Sequence, residues 1–180
     1  MYLPPCGPDE ELIGILVAVP QPLADEIDEL RTRLNFDTAT STAPHITLVP
    51  PTPVKQADRE RIMNQLGEVA AKHAPFRICL QGAGSFRPVS TVAFINVAVG
   101  GAALAVLEEE IRVATGLAPA RFPFHPHVTL AHVDHDETLN EAERLAEGFK
   151  AEWVASGFRL DRVGADGVYH SQALFSFTAG

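Results

Sequence analysis

The chain carries the pattern His-x-Thr-x twice, at His45–Leu48 and at His127–Leu130, each time directly after a proline and within an apolar run. On a β-strand, residues i and i+2 face the same side. Each motif would therefore present one imidazole and one hydroxyl together and bury its two aliphatic neighbours. Two such strands facing each other would form a site with two histidines.

A pair of histidines suits the cleavage of a phosphodiester. In-line attack requires that one proton leave the nucleophile and that another reach the leaving oxygen on the opposite side. Imidazole titrates near ~6.5, so His45 and His127 can act as base and acid, each contributing roughly 10²–10⁴-fold. The hydroxyls of Thr47 and Thr129 can donate to the non-bridging phosphate oxygens, where negative charge increases in the transition state. This chemistry requires no metal and no other cofactor.

Hydrophobic periodicity predicts a repeated order of strands and helices around these motifs. The predicted strands cover residues 12–19, 44–49, 76–80, 92–99, 126–131, 153–163 and 168–177. The predicted helices cover residues 22–34, 56–72, 104–115 and 137–147. Both halves of the chain thus read β-α-β-α-β with His-x-Thr on the second strand, and the second half carries one further strand at its end.

The repeated order predicts an α+β fold of two lobes related by pseudo-twofold symmetry, with the motif strands meeting at a central cleft. We expect a single domain over residues 1–180, with pseudo-repeats at about 12–86 and 91–177 and a loose leader at 1–11. Pro50 and Pro51 are expected to close the first motif strand, because proline cannot donate a ladder hydrogen bond.

Composition narrows the classes of function. With 180 residues and 46% hydrophobic side chains, the chain can bury a sizeable core. Its 23 acidic and 14 basic side chains give a net charge of −9, which argues against extended binding to a DNA duplex or a long RNA. Cys6 and Cys79 are too few for a disulfide framework. Since no apolar run reaches the ~20 residues of a membrane span and no signal peptide is evident, we expect a cytoplasmic monomer away from membranes.

The paired motifs, their separation and the duplicated element order resemble the 2H phosphoesterase superfamily, which includes bacterial 2′-5′ RNA ligase-like proteins and cyclic nucleotide phosphodiesterases. The resemblance covers Leu12–Phe177. It implies a bilobal fold and metal-independent chemistry on 2′,3′-cyclic phosphates or 2′-5′ linkages, with a nucleoside cyclic phosphate or a short RNA end as partner. It also implies that His45 and His127 are the acid/base pair and that Thr47 and Thr129 contact phosphate.

Several other residues are candidates for substrate contact. Phe124 could stack on a base and Arg121 could meet phosphate. A packed aromatic loop with a solvated arginine is the alternative, and it is favoured more for Arg121 than for Phe124. Tyr169, on the last strand, could touch substrate or support the core. Arg87, in the linker between the halves, is a further candidate for the cleft.

Two other classes of function stay open on the sequence alone. A metal site could use side chains close to the second motif, namely His125, His127, His132 and His135, completed by Asp134 or Asp136. On a regular strand, however, position 132 points away from the face of position 127. A non-catalytic module that binds nucleotides or RNA ends would need the same imidazoles and hydroxyls, but the intact pair of histidines favours catalysis.

Overall fold

The computed structural model describes residues 3–35, 42–118 and 121–179. In chain order, its elements are β1 (Glu10–Ala18), α1 (Leu23–Arg33), β2 (His45–Lys55), α2 (Arg59–Ala70), β3 (Phe76–Ser85), β4 (Val92–Val99), α3 (Gly101–Thr115), β5 (His127–His132), α4 (Asp136–Glu147), β6 (Lys150–Ala155), β7 (Gly157–Val163) and β8 (Tyr169–Ser176). A short 3₁₀ turn at Gln56–Asp58 leads into α2.

The eight strands form one antiparallel sheet in the order β6-β3-β4-β5-β2-β1-β7-β8. The two motif strands, β2 and β5, are neighbours at its centre, and each is the innermost strand of a four-stranded half. These halves are called here the β2 half (β2, β1, β7, β8) and the β5 half (β5, β4, β3, β6). The predicted α+β fold with adjacent motif strands is confirmed.

The two halves of the sequence exchange strands. β3 comes from the first half of the chain but pairs with β4, whereas β7 comes from the second half and pairs with β1. A single residue, Ser156, joins β6 at one edge of the sheet to β7 near the other edge, so the sheet must curl to bring these regions together. The prediction of one strand over 153–163 was wrong, because hydrophobic continuity does not reveal that the pairing partner changes at Ser156.

Two predicted boundaries also differ from the structure. β1 begins at Glu10, inside the predicted leader, and β2 continues through Pro50 and Pro51 to Lys55. The pairing of β1 with β2 shifts register beside the two prolines. A bulge of this kind lets a strand continue past residues that lack an N–H group.

The helices supply the apolar side chains that bury the sheet. α2 contacts β8 and α3 contacts β2, whereas α4 contacts β3, β4 and β5, and α1 contacts β5. The apolar positions predicted from helical spacing form much of the core: Ile27, Ile62, Leu66, Val69, Leu104, Leu107 and Ile111 are all at most 2% exposed. Among the described residues, no helix has both the length and the apolar character needed to cross a lipid bilayer.

Candidate active site

The register at the centre of the sheet brings the two motifs together on one face. Ile46 of β2 pairs with Val128 of β5, and both are fully buried on the opposite face. Strand alternation therefore places four partly exposed polar side chains side by side: His45, Thr47, His127 and Thr129. Because the strands are antiparallel, each histidine lies across from the threonine of the other motif. In the part of the chain described, β2 and β5 share this one ladder pair, so the pairing between the motif strands is short.

Both histidines are held by the same local hydrogen bond. Nδ1 of His45 lies 2.8 Å from the carbonyl oxygen of Ala43, and Nδ1 of His127 lies 2.7 Å from the carbonyl oxygen of His125. A carbonyl oxygen only accepts, so Nδ1 carries the proton in each ring and Nε2 keeps its lone pair when the ring is neutral. Neither Nε2 has a protein partner within residues 3–35, 42–118 and 121–179. Both are therefore available for proton transfer.

Burial favours the neutral form of both imidazoles in the free protein. The pKa of His45 is lowered to about 4, mainly by burial and also by the guanidiniums of Arg31 and Arg159, whereas the hydrogen bond to Ala43 and the charge of Asp161 act in the opposite direction. Burial likewise lowers the pKa of His127, whose Nδ1 hydrogen bond acts in the opposite direction. An anion between the rings would favour protonation of one of them.

The threonine hydroxyls of the motifs are available to a ligand. Thr47 and Thr129 are partly exposed, and in the described segments no hydrogen bond from the protein engages either hydroxyl. Each hydroxyl can therefore donate to an oxygen placed between the motif strands.

Aromatic rings surround His127. The ring centroids of Phe94 and Phe86 lie 4.8 and 4.9 Å from that of His127, and the ring of His125 lies 6.2 Å away. Phe94 is directly opposite Thr129 in the β4–β5 ladder, so it is part of the site face. These rings exclude water from one side of His127 and fix its orientation.

The surroundings of His45 are more polar. The ring of Tyr169 lies 5.2 Å from the ring of His45 and passes over Gly14, whose missing side chain leaves room for it. Burial, together with the charge of Asp161, raises the pKa of Tyr169, so its hydroxyl stays protonated at neutral pH. The candidate Tyr169 is thus in contact with a motif histidine.

Arg31 links both motifs, although it was not predicted from the sequence. It is 8% exposed on α1, and its Nη2 donates to the carbonyl oxygen of Thr129 at 2.8 Å. Nη1 donates to the carbonyl oxygen of Thr42, just before the first motif, at 3.0 Å and to Asp28 at 3.1 Å. Arg31 therefore connects the segment entering β2 to the backbone of β5.

The remaining candidates lie in different surroundings. Arg121 is exposed, with its guanidinium 5.2 Å from the ring centroid of Phe122, and Phe124 is partly buried against the core. The expectation that Arg87 reaches the cleft was wrong, because its guanidinium bonds to Asp136 at 3.1 Å and to other polar side chains of α4.

The histidines near the second motif do not converge on a metal. Among the described residues, there is no group of three or more histidines, cysteines and carboxylates arranged to hold a metal ion. His135 instead caps α4, because its Nδ1 accepts a hydrogen bond of 3.3 Å from the amide of Thr138. His132 is exposed at the end of β5.

Arg159 and Asp161 were also missed, although the sequence held a signal for them. Both lie on β7 at positions that share one face, within a run that otherwise alternates as a buried strand. Two charged side chains at positions i and i+2 of such a strand indicate that one of its faces is polar and is not part of the hydrophobic core.

Comparisons with known proteins agree with this geometry. The family model of the 2′-5′ RNA ligase superfamily matches residues 19–165. A protein of Bacillus cereus (strain B4264) named "Putative phosphoesterase" is 30% identical over 131 residues, which make up 71% of this chain and 75% of the relative.

Solved structures show the same fold. The protein TT0787 of Thermus thermophilus matches with a TM-score of 0.68 and 22% identity, over 93% of this chain and 98% of that protein. E. coli LigT, solved in complexes with NADP+ and with 3′-AMP, gives TM-scores of 0.68 and 0.69 at 19% and 18% identity, over 94% of this chain and 99% of LigT. Since the family model covers most of the sequence and the sheet places its two motifs side by side, the chain belongs to the 2′-5′ RNA ligase superfamily.

Proposed function

We propose that this protein is a phosphodiesterase that opens 2′,3′-cyclic phosphates of nucleotides or short RNA ends by acid/base catalysis with two histidines. One observation carries the proposal: His45 and His127 lie on the same face of adjacent strands, each with Nδ1 bound to a carbonyl two residues earlier. Two Nε2 atoms are therefore available on the same face of the sheet. An in-line displacement needs two such groups, one on each side of the phosphorus.

We assign His45 as the base and His127 as the acid. The positive charges of Arg31 and Arg159 favour the neutral form of His45, the form that a base must have. Among the residues that the structure describes, the surroundings of His127 contain aromatic rings and no such pair of cations, so the negative charge of a bound phosphate would more readily protonate it.

The reaction then follows from these roles. Nε2 of His45 takes a proton from water as the water oxygen bonds to phosphorus. The bond from phosphorus to one ring oxygen of the cyclic phosphate breaks, and Nε2–H of His127 gives its proton to that oxygen. The hydroxyls of Thr47 and Thr129 donate to the non-bridging oxygens, which gain charge in the transition state. The product is a phosphomonoester, and each step is independent of a metal.

Charge and relatives both favour a small substrate. The net charge of −9 weakens attraction for a long polyanion, whereas a single phosphate needs only local donors. LigT of the same fold was solved with 3′-AMP, which carries the phosphate that opening a cyclic phosphate can leave. We therefore propose a monomer acting on nucleoside 2′,3′-cyclic phosphates or short RNA ends, with hydrolysis as the physiological direction.

The test is hydrolysis of the four nucleoside 2′,3′-cyclic phosphates by purified protein in EDTA, with the position of the product phosphate determined by phosphorus NMR. His45→Ala and His127→Ala are compared with His132→Ala, a matched control for an exposed histidine on β5. We expect EDTA-resistant turnover in the wild type and control, reduced about 10²–10⁴-fold in both motif variants. Absence of turnover with all four substrates would overturn the choice of substrate. Unchanged turnover in either motif variant would overturn the role of that histidine.

A further inference from the structure

Beyond the two motifs, we infer that Arg159 of β7, oriented by Asp161, is a phosphate-binding residue of the cleft and contacts the anion beside Thr47. This inference rests on the proposed phosphodiester chemistry, since it concerns the group that the histidines would act on.

The ladder pairing puts Arg159 on the face that carries the motifs. Leu16 of β1 pairs with Thr47 on one side and with Arg159 on the other. Residues paired across a sheet point to the same face, so Thr47, Leu16 and Arg159 form one row. With strands spaced ≈ 4.7–4.9 Å apart, the Cα atoms of Thr47 and Arg159 are separated by roughly 10 Å. A long arginine side chain covers much of that distance.

Asp161 holds the guanidinium by one edge. Its carboxylate is fully buried and accepts from Nε and Nη2 of Arg159 at 3.1 and 2.6 Å. In the described residues, Nη1 has no protein acceptor, and the arginine side chain is 27% exposed. A guanidinium fixed on one edge and open on the other loses little freedom when it binds an anion.

There is space for a ligand next to Arg159. This side chain contributes to the wall of a cavity of about 190 Å³ that also includes Ala18, the residue paired with His45. The exposed apolar side chains of Val154 and Leu174 form part of the same wall. The cavity therefore lies beside Arg159 and next to the strand position that pairs with His45.

A purely structural role for Arg159 would be to neutralise the buried Asp161. That role requires only a positive charge next to the carboxylate. If it were the whole role, removing Arg159 together with the charge of Asp161 would leave the affinity for phosphate unchanged. A phosphate-binding role makes affinity depend on the guanidinium itself. The double variant Arg159→Met/Asp161→Asn separates the two roles, because it leaves no unpaired buried charge.

The experiment measures the affinity for inorganic phosphate by calorimetry in wild type, Arg159→Met, Arg159→Lys and the double variant. Arg162→Met is the matched control, since Arg162 is exposed on the same strand and alternates to the other face. We expect Arg159→Met and the double variant to weaken phosphate binding about ten- to a hundredfold, Lys to restore part of it, and the control to match wild type. In parallel, NMR titration of His45 should show its pKa rising in Arg159→Met, because a nearby cation is lost.

Phosphate affinity in the folded double variant equal to that of the wild type would overturn the inference, as would a wild type that does not bind phosphate. Failure of the proposed function is a separate result. If cyclic phosphates are not hydrolysed but phosphate binding depends on Arg159, the result supports the anion site and contradicts the proposed substrate. If they are hydrolysed and Arg159→Met binds phosphate normally, only the role of Arg159 falls.

Discussion

The guanidinium of Arg31 lies 2.8 Å from the backbone carbonyl oxygen of Thr129, a residue 98 positions later in the chain. The same side chain donates to the carbonyl oxygen of Thr42, which precedes the first motif. The ladder between β2 and β5 is short. The hydrogen bonds of this buried arginine therefore contribute strongly to the spacing between the two motifs. The separation of the two imidazoles thus depends on a residue of α1.

We predict that Arg31→Met lowers the free energy of unfolding by about 2–4 kcal/mol, since it leaves two partly buried carbonyl groups and Asp28 without their partner. Arg31→Lys should recover only part of this, because an ammonium lacks the fork that reaches several acceptors. Urea unfolding measures the difference, with the exposed Arg33→Met of the same helix as control. Equal stability of Arg31→Met and Arg33→Met would contradict the linking role.

Much of the site could be predicted because it depends on local periodicity. The alternation of His45, Ile46 and Thr47 determines which side chains share a face, and a repeated layout indicated that two such strands would meet. The helical faces that include Ile27 and Leu66 were predicted on the same basis, and both residues are fully buried.

The residues that were missed depend on contacts between distant segments. Arg31 reaches Thr129 only because α1, which follows β1, packs against β5 of the other half. Arg159 joins the site face only because β7 pairs with β1 after the chain changes its pairing partner at Ser156. No local pattern encodes a change of pairing partner, and this is also why one strand was predicted where two exist.

The threonine hydroxyls should contribute to turnover and little to stability. We predict that Thr47→Val and Thr129→Val each reduce kcat roughly tenfold or more, since a donor to the charged transition state is lost while side-chain shape is kept. Thr52→Val, also on β2, is the control, because its hydroxyl bonds to the carbonyl oxygen of Pro50 at 2.8 Å. Steady-state kinetics with the best cyclic phosphate decide the matter. A fall in kcat for Thr52→Val as large as for Thr47→Val would contradict this role.

The assignment of acid and base predicts a dependence on the leaving group. In His127→Ala, turnover of a cyclic phosphate should fall about 10²–10⁴-fold, whereas a p-nitrophenyl nucleotide diester should lose far less, because p-nitrophenolate leaves without a proton. His45→Ala should impair both substrates, since the nucleophile still needs a base. Rates for the two substrates are compared in the same buffer. Selective retention of the p-nitrophenyl reaction in His45→Ala instead would reverse the assignment.

Contact between Tyr169 and His45 depends on the absence of a side chain at Gly14. A Cβ atom there would overlap with Cε1 of Tyr169. We predict that Gly14→Ala displaces the ring and destabilises the protein by about 1–3 kcal/mol, the usual range for overpacking. The double variant Gly14→Ala/Tyr169→Leu should recover stability, because the overlap is removed. If the double variant is less stable than Gly14→Ala alone, the ring was not the source of the strain.

Burial of the motif histidines also predicts how stability depends on pH. The pKa of His45 is about 4 in the folded protein, below its ordinary value of 6.5, so between these pH values the unfolded chain binds a proton that the folded protein does not. The free energy of unfolding must therefore fall as the pH drops from about 6.5 to about 4 and change no further on this account below that range. Burial lowers the pKa of His127 as well, which adds to the same trend.

Replacing His45 with asparagine removes one of these titrations, so the loss of stability across this range should be smaller by on the order of 1–2 kcal/mol, allowing for the partial exposure of the ring. Urea unfolding of both proteins at several pH values across the window provides the comparison, and His132→Asn controls for the loss of an exposed histidine. Parallel stability curves for wild type and His45→Asn would show that His45 titrates normally in the folded state. The neutral form of His45 at physiological pH would then follow from an ordinary pKa and not from the burial of its ring beside Tyr169.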